Sequence, residues 1–99
     1  MATLYITEYE DVGPTLSQIA QAPQEPRIAN QTVAIGGTST QSSAFNVRTR
    51  LVRLHTDAIC SVDFGASPTA VATESRMAAN TTEFFGVTPG HKVAVITNT

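Results

Sequence analysis

The 99-residue sequence has little charge, no tryptophan and a single cysteine. Charged residues make up 14% of the chain, well below the roughly 25% that is usual for soluble proteins. Only six residues are lysine or arginine, so the chain lacks the basic clusters of nucleic-acid-binding proteins, and we expect no nucleic-acid partner. Because Cys60 has no second cysteine to pair with, the fold does not depend on an oxidising compartment.

Long apolar runs are also missing. None approaches the roughly 20 residues that a membrane-spanning helix needs, so we expect no membrane partner. The first ten residues, MATLYITEYE, lack the basic and apolar regions of a secretory signal. We therefore expect the chain to be made and assembled in a cytoplasm.

Patterns that carry catalysis are absent as well. Cys60, His55 and Asp57 are the residue types of a nucleophile, a base and an orienting acid, but Cys60 falls on an apolar strand face. Two histidines, His55 and His91, are too few for a zinc-ligand cluster. No G-x-S-x-G, H-E-x-x-H or dinucleotide-binding motif occurs. We expect no enzymatic activity, no metal and no cofactor.

Short strands separated by turn residues are what the sequence contains instead. Thr3 to Tyr9 alternates, with Leu4 and Ile6 on one face and Tyr5 and Tyr9 on the other, which predicts a half-buried strand. Such a strand is able to add to the sheet edge of a neighbouring molecule. A second strand is predicted over residues 27–35.

The segment between these strands is rich in proline and acidic residues. We interpret residues 10–26 as an extended arm, with a short helix over 14–22 as the alternative. Residues 1–25 hold four acids and no base, whereas the rest of the chain holds six bases and four acids. This acidic segment either lies on a basic face of a partner or is an ordinary polar lead-in.

The stretch SAFNVRTRLVRLHT, residues 43–56, alternates strongly. We predict one long strand whose change of parity marks a β-bulge near Leu51 and Val52. Its polar face carries a basic stripe formed by Arg48, Arg50, Arg53 and His55. The stripe is either solvated or an interface, because arginine is enriched in interfaces and binds carboxylates with two hydrogen bonds.

The sequence predicts a strand over residues 58–64 and three more strands after it. An edge strand is expected over 71–77, and residues 81–87 and 91–97 are expected to form a closing hairpin. Pro89 and Gly90 suit the two central positions of a type II turn between them. Phe84 and Phe85 are consecutive and face opposite sides, and burial of both between two sheets is the favoured arrangement.

The fold class that these elements predict is all-β: a small antiparallel β-sandwich or a jelly-roll-like barrel with an N-terminal extended arm. We divide the chain into residues 1–26, the first strand and arm, and residues 27–99, the β-sandwich domain.

Three stretches of the C-terminal half form a recognisable set. They are F-G-x-x-P-x-A at 64–70, MAANTTEFFGV at 77–87 and P-G-x-K-V-A-V-I at 89–96. With them, residues 50–96 resemble small structural proteins of tailed bacteriophages, which include head decoration and cement proteins. The resemblance implies a β-sandwich in the virion, on the capsid surface, with no catalytic residues.

The expected function is therefore decoration or cementing of a capsid by binding its major capsid protein. A dimer or trimer of the chain itself is expected as well, because swapped arms join small domains readily. The alternatives are a head–tail joining or tail protein, and a soluble carbohydrate-binding sandwich, which the lack of tryptophan disfavours. The candidate interface residues are Leu4, Tyr5, Ile6, Tyr9, Arg48, Arg50, Arg53, His55 and Phe85.

Overall fold

Two four-stranded antiparallel sheets pack face to face in a computed structural model of the chain, which describes residues 2–10, 12–14, 19–23 and 26–98. The strands are β1 (Thr3–Tyr9), β2 (Val12–Pro14), β3 (Ile19–Pro23), β4 (Ala29–Ala34), β5 (Thr40–Gln41), β6 (Leu51–Thr56), β7 (Cys60–Gly65), β8 (Arg76–Met77), β9 (Thr81–Gly86) and β10 (Lys92–Thr97). The first sheet has the order β4-β1-β6-β9 and the second β5-β10-β7-β8. The predicted all-β sandwich is confirmed.

The strand order is that of a jelly roll with one strand exchanged. From β4 onwards, every connection except the one between β7 and β8 crosses from one sheet to the other. A jelly roll inserts its last strand beside its first in one sheet. Here β1, from the start of the chain, takes that position between β4 and β6.

β1 is an internal strand with both edges paired inside its own chain. Leu4 lies opposite Val33 of β4 and opposite Thr56 of β6. The expectation that this strand adds to a neighbour's sheet is therefore wrong, and the strand is part of the sandwich. Its alternation was predicted correctly, because Leu4 and Ile6 are buried and Tyr5 is exposed.

The core lies between the two inner faces. Its members are apolar residues at alternating positions of both sheets: Leu4, Ile6, Val33, Ile35, Phe45, Val52, Leu54, Cys60, Val62, Met77, Val93 and Val95. Leu4 and Ile6, assigned to an interface from the sequence, are thus core residues with exposed fractions of 0% and 1%. Alternation alone does not distinguish a strand that packs on its own core from one that packs on a partner.

The stretch predicted as one long strand is broken. Only Leu51–Thr56 is a strand, and the residues before it form an irregular loop. The N–H of Thr49 donates to the carbonyl of Asn46 at 3.0 Å, which closes a turn and leaves Val47 80% exposed. The change of parity near Leu51 arises from this turn, and the predicted bulge is wrong.

The predicted closing hairpin is also wrong, although its turn is correct. β9 pairs with β6 in the first sheet and β10 pairs with β7 in the second, so the chain crosses between sheets here. His91 N–H donates to Thr88 O at 3.1 Å, and Gly90 has a φ of 82°, as a type II turn requires. A turn sequence fixes a local reversal, but it does not decide whether the flanking strands pair.

Three other predicted elements differ in extent or type. Arg76–Met77 is the only strand found within the predicted edge strand over 71–77. β2 and β3 pair with each other as a hairpin, so the alternative short helix over 14–22 is wrong where it overlaps β3. The strand predicted over 58–64 is observed as Cys60–Gly65.

The outer face of the second sheet is covered by the chain's own loop of residues 66–75. Gln41 Nε2 donates to the Pro68 carbonyl at 2.8 Å, and Asn98 Nδ2 donates to the Ala72 carbonyl at 2.8 Å. Ser61 and Ala94, on strands beneath the loop, are fully buried. This side of the sandwich is therefore closed.

Candidate functional site

The outer face of the first sheet presents two rows of side chains that run across all four strands. The strand registers place Thr32, Tyr5, His55 and Thr82 in one row, and Asn30, Thr7, Arg53 and Phe84 in the next. We call these eight residues the open face. A groove of about 530 Å³ lies over the six of them on β4, β1 and β6, and Asp57 contributes at one end. Two sequence-predicted interface residues on β6, Arg53 and His55, are thereby brought beside Tyr5 of β1.

The first row is held by a chain of contacts. The Tyr5 ring lies 6.2 Å from the His55 ring, measured between centroids, at an interplanar angle of 44°. His55 Nδ1 lies 2.9 Å from Thr82 Oγ1, and this hydrogen bond orients the imidazole. Tyr5 is 45% exposed, so its ring forms an accessible apolar wall beside the groove.

Arg53 is the charged residue of the second row, between Thr7 and Phe84. It is half-buried, and its side chain forms no hydrogen bond or ion pair with any residue in the described ranges. A guanidinium has five N–H donors in a planar fork that fits a carboxylate. An incoming carboxylate would therefore gain hydrogen bonds here without displacing a partner found in the described structure.

The rest of the predicted basic stripe does not share this face. Arg48 lies in the loop before β6 and pairs with Glu10 at 3.3 Å, both side chains being exposed. Arg50 is exposed and precedes β6, where its backbone N–H donates to the Tyr9 carbonyl at 3.0 Å. The stripe is thus split, because a turn replaces the strand that was expected to align it.

The two consecutive phenylalanines have separate roles. Phe85 faces inward, and its ring lies 4.9 Å from that of Phe64, against the core. Phe84 faces outward and is 51% exposed. The favoured burial of both rings is wrong, and Phe84 replaces Phe85 as the surface candidate. Alternation along the strand shows that the two rings face opposite sides of the sheet, but it does not show which side faces the core.

Glu8 was missed by sequence reasoning as a structural residue. It is 2% exposed, and its Oε1 accepts hydrogen bonds from the Thr49 hydroxyl at 2.7 Å and the Asn46 N–H at 2.9 Å. Its Oε2 accepts from Gln31 Nε2 at 3.2 Å. This carboxylate therefore ties the loop before β6 to the sandwich and is not offered to a partner. A signal was present, since Glu8 has the same parity as Leu4 and Ile6.

Tyr9 and Cys60 lie away from the open face, whereas His55 belongs to it and Asp57 borders its groove. Tyr9 is buried, with an exposed fraction of 6%, which corrects its assignment to an interface. Cys60 lies in the core with its Sγ 3.6 Å from Thr56 Oγ1, while His55 is on the outer face of β6. The Asp57 carboxylate accepts from the Thr3 N–H at 2.7 Å. The three side chains do not form a catalytic arrangement.

The Cys60 thiol provides a pH-dependent test of the core. Burial raises the pKa of Cys60 above its ordinary value of 9.0, partly offset by the Thr56 hydrogen bond, and the negative charge of Glu83 raises it further. Because the folded protein holds the Cys60 proton more tightly than the unfolded chain does, the protonated thiol favours folding. This contribution to the free energy of unfolding is fully present below pH 9 and is lost as the pH rises further. We expect the free energy of unfolding to fall more between pH 8.5 and 10.5 in the wild type than in Cys60→Ala, measured by urea denaturation. Equal slopes would show that the thiol does not lose its solvation on folding.

Across residues 2–10, 12–14, 19–23 and 26–98, no group of three or more histidine, cysteine, aspartate or glutamate side chains is placed to hold a metal ion. The same ranges contain no helix with the length and apolarity needed to cross a membrane. Comparisons with protein-family models, with curated proteins and with solved structures find no match.

Proposed function

We propose that the chain is a structural protein of a tailed-phage virion that decorates or cements the capsid by binding major capsid protein subunits through the open face. The observation that carries this proposal is the half-buried Arg53 side chain, which pairs with no described residue and lies between two accessible aromatic side chains, Tyr5 and Phe84. Arginine, tyrosine and phenylalanine are enriched in protein interfaces, and arginine and tyrosine often dominate their binding energy.

The shape of this surface favours a protein over a small substrate. The open face is a sheet surface with a shallow groove, formed by six uncharged side chains besides Arg53 and His55. Low charge reduces the desolvation cost when a second protein covers the face. The outer face of the second sheet is already covered by the loop of residues 66–75, so it is less suited to docking. The resemblance of residues 50–96 to phage structural proteins supports the same function.

Cementing follows from selective binding. A subunit that binds the assembled shell but not dissociated capsid protein stabilises the shell by mass action, and the gain increases with occupancy and copy number. Arg53 binds a carboxylate of the capsid subunit in this scheme, and Tyr5 and Phe84 pack against apolar side chains around it. Internal hydrogen bonds hold the loop before β6 and the loop of residues 66–75 to the sandwich.

The direct test adds the purified chain to capsid shells that lack decoration. We expect saturable binding at sites of defined stoichiometry and a rise in the melting temperature of the shell, measured by sedimentation and calorimetry. Absence of both effects would overturn the proposal. Binding to neck or tail particles but not to shells would instead favour the head–tail joining or tail alternative.

A carbohydrate-binding role is the second candidate, because one observation favours it. The accessible Tyr5 ring lies beside hydroxyl and amide side chains of Thr7, Asn30 and Thr32, in the same groove. Aromatic rings and polar side chains of this kind bind saccharides as well as proteins. NMR titration with a panel of neutral and acidic oligosaccharides distinguishes the two functions. Shifts confined to the groove would favour saccharide binding, and their absence with intact shell binding would favour the capsid function.

A further inference from the structure

The outer edge of β9 is free within the described part of the chain, since β9 is the last strand of the first sheet. Val87 N–H donates to the Arg50 carbonyl at 2.9 Å. This hydrogen bond shows which alternate residues at the end of β9 direct their backbone groups toward β6. In an antiparallel ladder, alternate residues direct their backbone groups to the same side. Phe84 and its alternating neighbours Thr82 and Gly86 therefore direct their N–H and C=O groups away from β6.

Within the described residues, this edge has little of the usual protection against strand addition. Edge strands are commonly blocked by lysine, proline, a bulge or a covering loop. β9 has the sequence TTEFFG, with no lysine or proline, and its pairing with β6 is regular over all six residues. Phe84 is half exposed, and Glu83 carries the only charge in the strand. The edge is therefore a template for one more antiparallel strand.

We propose that β9 pairs antiparallel with β9 of a second copy of this chain, with the two-fold axis at Phe84. In this register Phe84 lies opposite Phe84 of the other copy, and Thr82 lies opposite Gly86. These are the residues whose backbone groups are free, so each pair exchanges two hydrogen bonds. A symmetric contact of this kind closes on itself and produces a dimer without further growth.

Side chains also favour this register over its neighbours. Two outward phenylalanine rings meet at the axis, and Glu83 lies opposite Phe85 of the other copy, so no like charges are directly opposed. A register centred on Glu83 would oppose two carboxylates and use backbone groups already paired with β6. A register centred on Thr82 would require strand geometry at Asn80, whose φ of 59° is left-handed.

The proposed dimer joins two four-stranded sheets into one sheet of eight strands. Both open faces then lie on the same side, with the Arg53 grooves uncovered. The dimer therefore does not depend on the proposed capsid function and is tested without a shell.

Disulfide trapping tests the register. Directly opposed residues of a hydrogen-bonded pair have Cα atoms about 5.5 Å apart, within the range that a disulfide spans. Phe84→Cys is expected to form a covalent dimer under mild oxidation. Thr82→Cys is the matched control, since residue 82 of the two copies would be offset by about 14 Å along the strands. Both variants are made in a Cys60→Ala background, which removes the native thiol.

Light scattering tests the association itself. The wild-type chain is expected to approach about 21 kDa with rising concentration, twice its mass of 10.5 kDa. Phe84→Lys places two positive charges at the axis and is expected to remain at 10.5 kDa. Thr32→Lys, on the opposite edge strand β4, is the control and should dimerise as the wild type does. A monomeric wild type, equal trapping of both cysteine variants, or loss of the dimer only in Thr32→Lys would overturn the proposal.

Discussion

Replacement of Glu8 by alanine is expected to lower the free energy of unfolding by about 3 kcal/mol. The substitution removes the acceptor of three hydrogen bonds and leaves the Thr49 hydroxyl, which is fully buried, without its 2.7 Å partner. A buried donor that loses its acceptor retains its desolvation cost. With a total stability of about 5–15 kcal/mol expected for a small domain, the loss is large. Urea denaturation followed by circular dichroism measures it.

Two further variants separate the effect of losing the Glu8 hydrogen bonds on stability from the effect of losing an acidic side chain. Glu10→Ala, nearby in sequence, removes an exposed ion pair with Arg48 and is expected to change stability by less than about 0.5 kcal/mol. Adding Thr49→Val to Glu8→Ala removes the orphaned hydroxyl and should recover part of the lost stability. If Glu8→Ala and Glu10→Ala behave alike, the buried network does not contribute as the geometry indicates.

The second large effect concerns Arg53 on the open face. If this guanidinium binds a carboxylate of the capsid subunit, Arg53→Glu replaces attraction by repulsion at the covered site. Disruption of a buried charge pair costs about 2–5 kcal/mol, which corresponds to a loss of affinity of roughly 30-fold or more. Binding of the variant to undecorated shells, titrated by sedimentation, gives the ratio of dissociation constants.

Arg48→Glu is the matched control for this charge reversal. Arg48 is exposed and lies in the loop before β6, with Glu10 as its partner. The same change of two charge units there is expected to alter shell affinity by less than about threefold, since exposed pairs contribute little. Equal losses of shell affinity in both variants would indicate long-range electrostatics instead of a local contact. Unchanged binding by Arg53→Glu would show that Arg53 does not contact the capsid subunit.

Much of the fold was predictable because local alternation and turn chemistry act over a few residues. Thr3–Tyr9 was located with its inward Leu4 and Ile6, and Pro89-Gly90 was assigned to the correct turn. Pairing partners were not predictable in this way. Most connections cross between the sheets, so neighbours in sequence are rarely neighbours in a sheet. The expected closing hairpin failed for this reason.

The sequence predicted individual residues of the candidate site but not their arrangement on one face. Tyr5, Arg53 and His55 were selected from the sequence, but their meeting on one face depends on the pairing of β1 with β6. Phe84 was passed over because parity does not reveal which face is inner. Arg48 and Arg50 were grouped with Arg53 because the alternation of residues 45 to 51 imitates a strand, whereas the Asn46–Thr49 turn interrupts it.

The exchanged position of β1 has a consequence for engineering the chain. Ala2 O accepts a hydrogen bond from Ile35 N–H at 3.0 Å, and Thr97 N–H donates to the carbonyl of the adjacent Gly36 at 2.9 Å. The beginning of β1 and the end of β10 therefore converge at one corner of the sandwich. A circular permutant in which a short glycine linker carries β10 into β1 needs no rearrangement of either sheet. Such a permutant has the connectivity of an ordinary jelly roll.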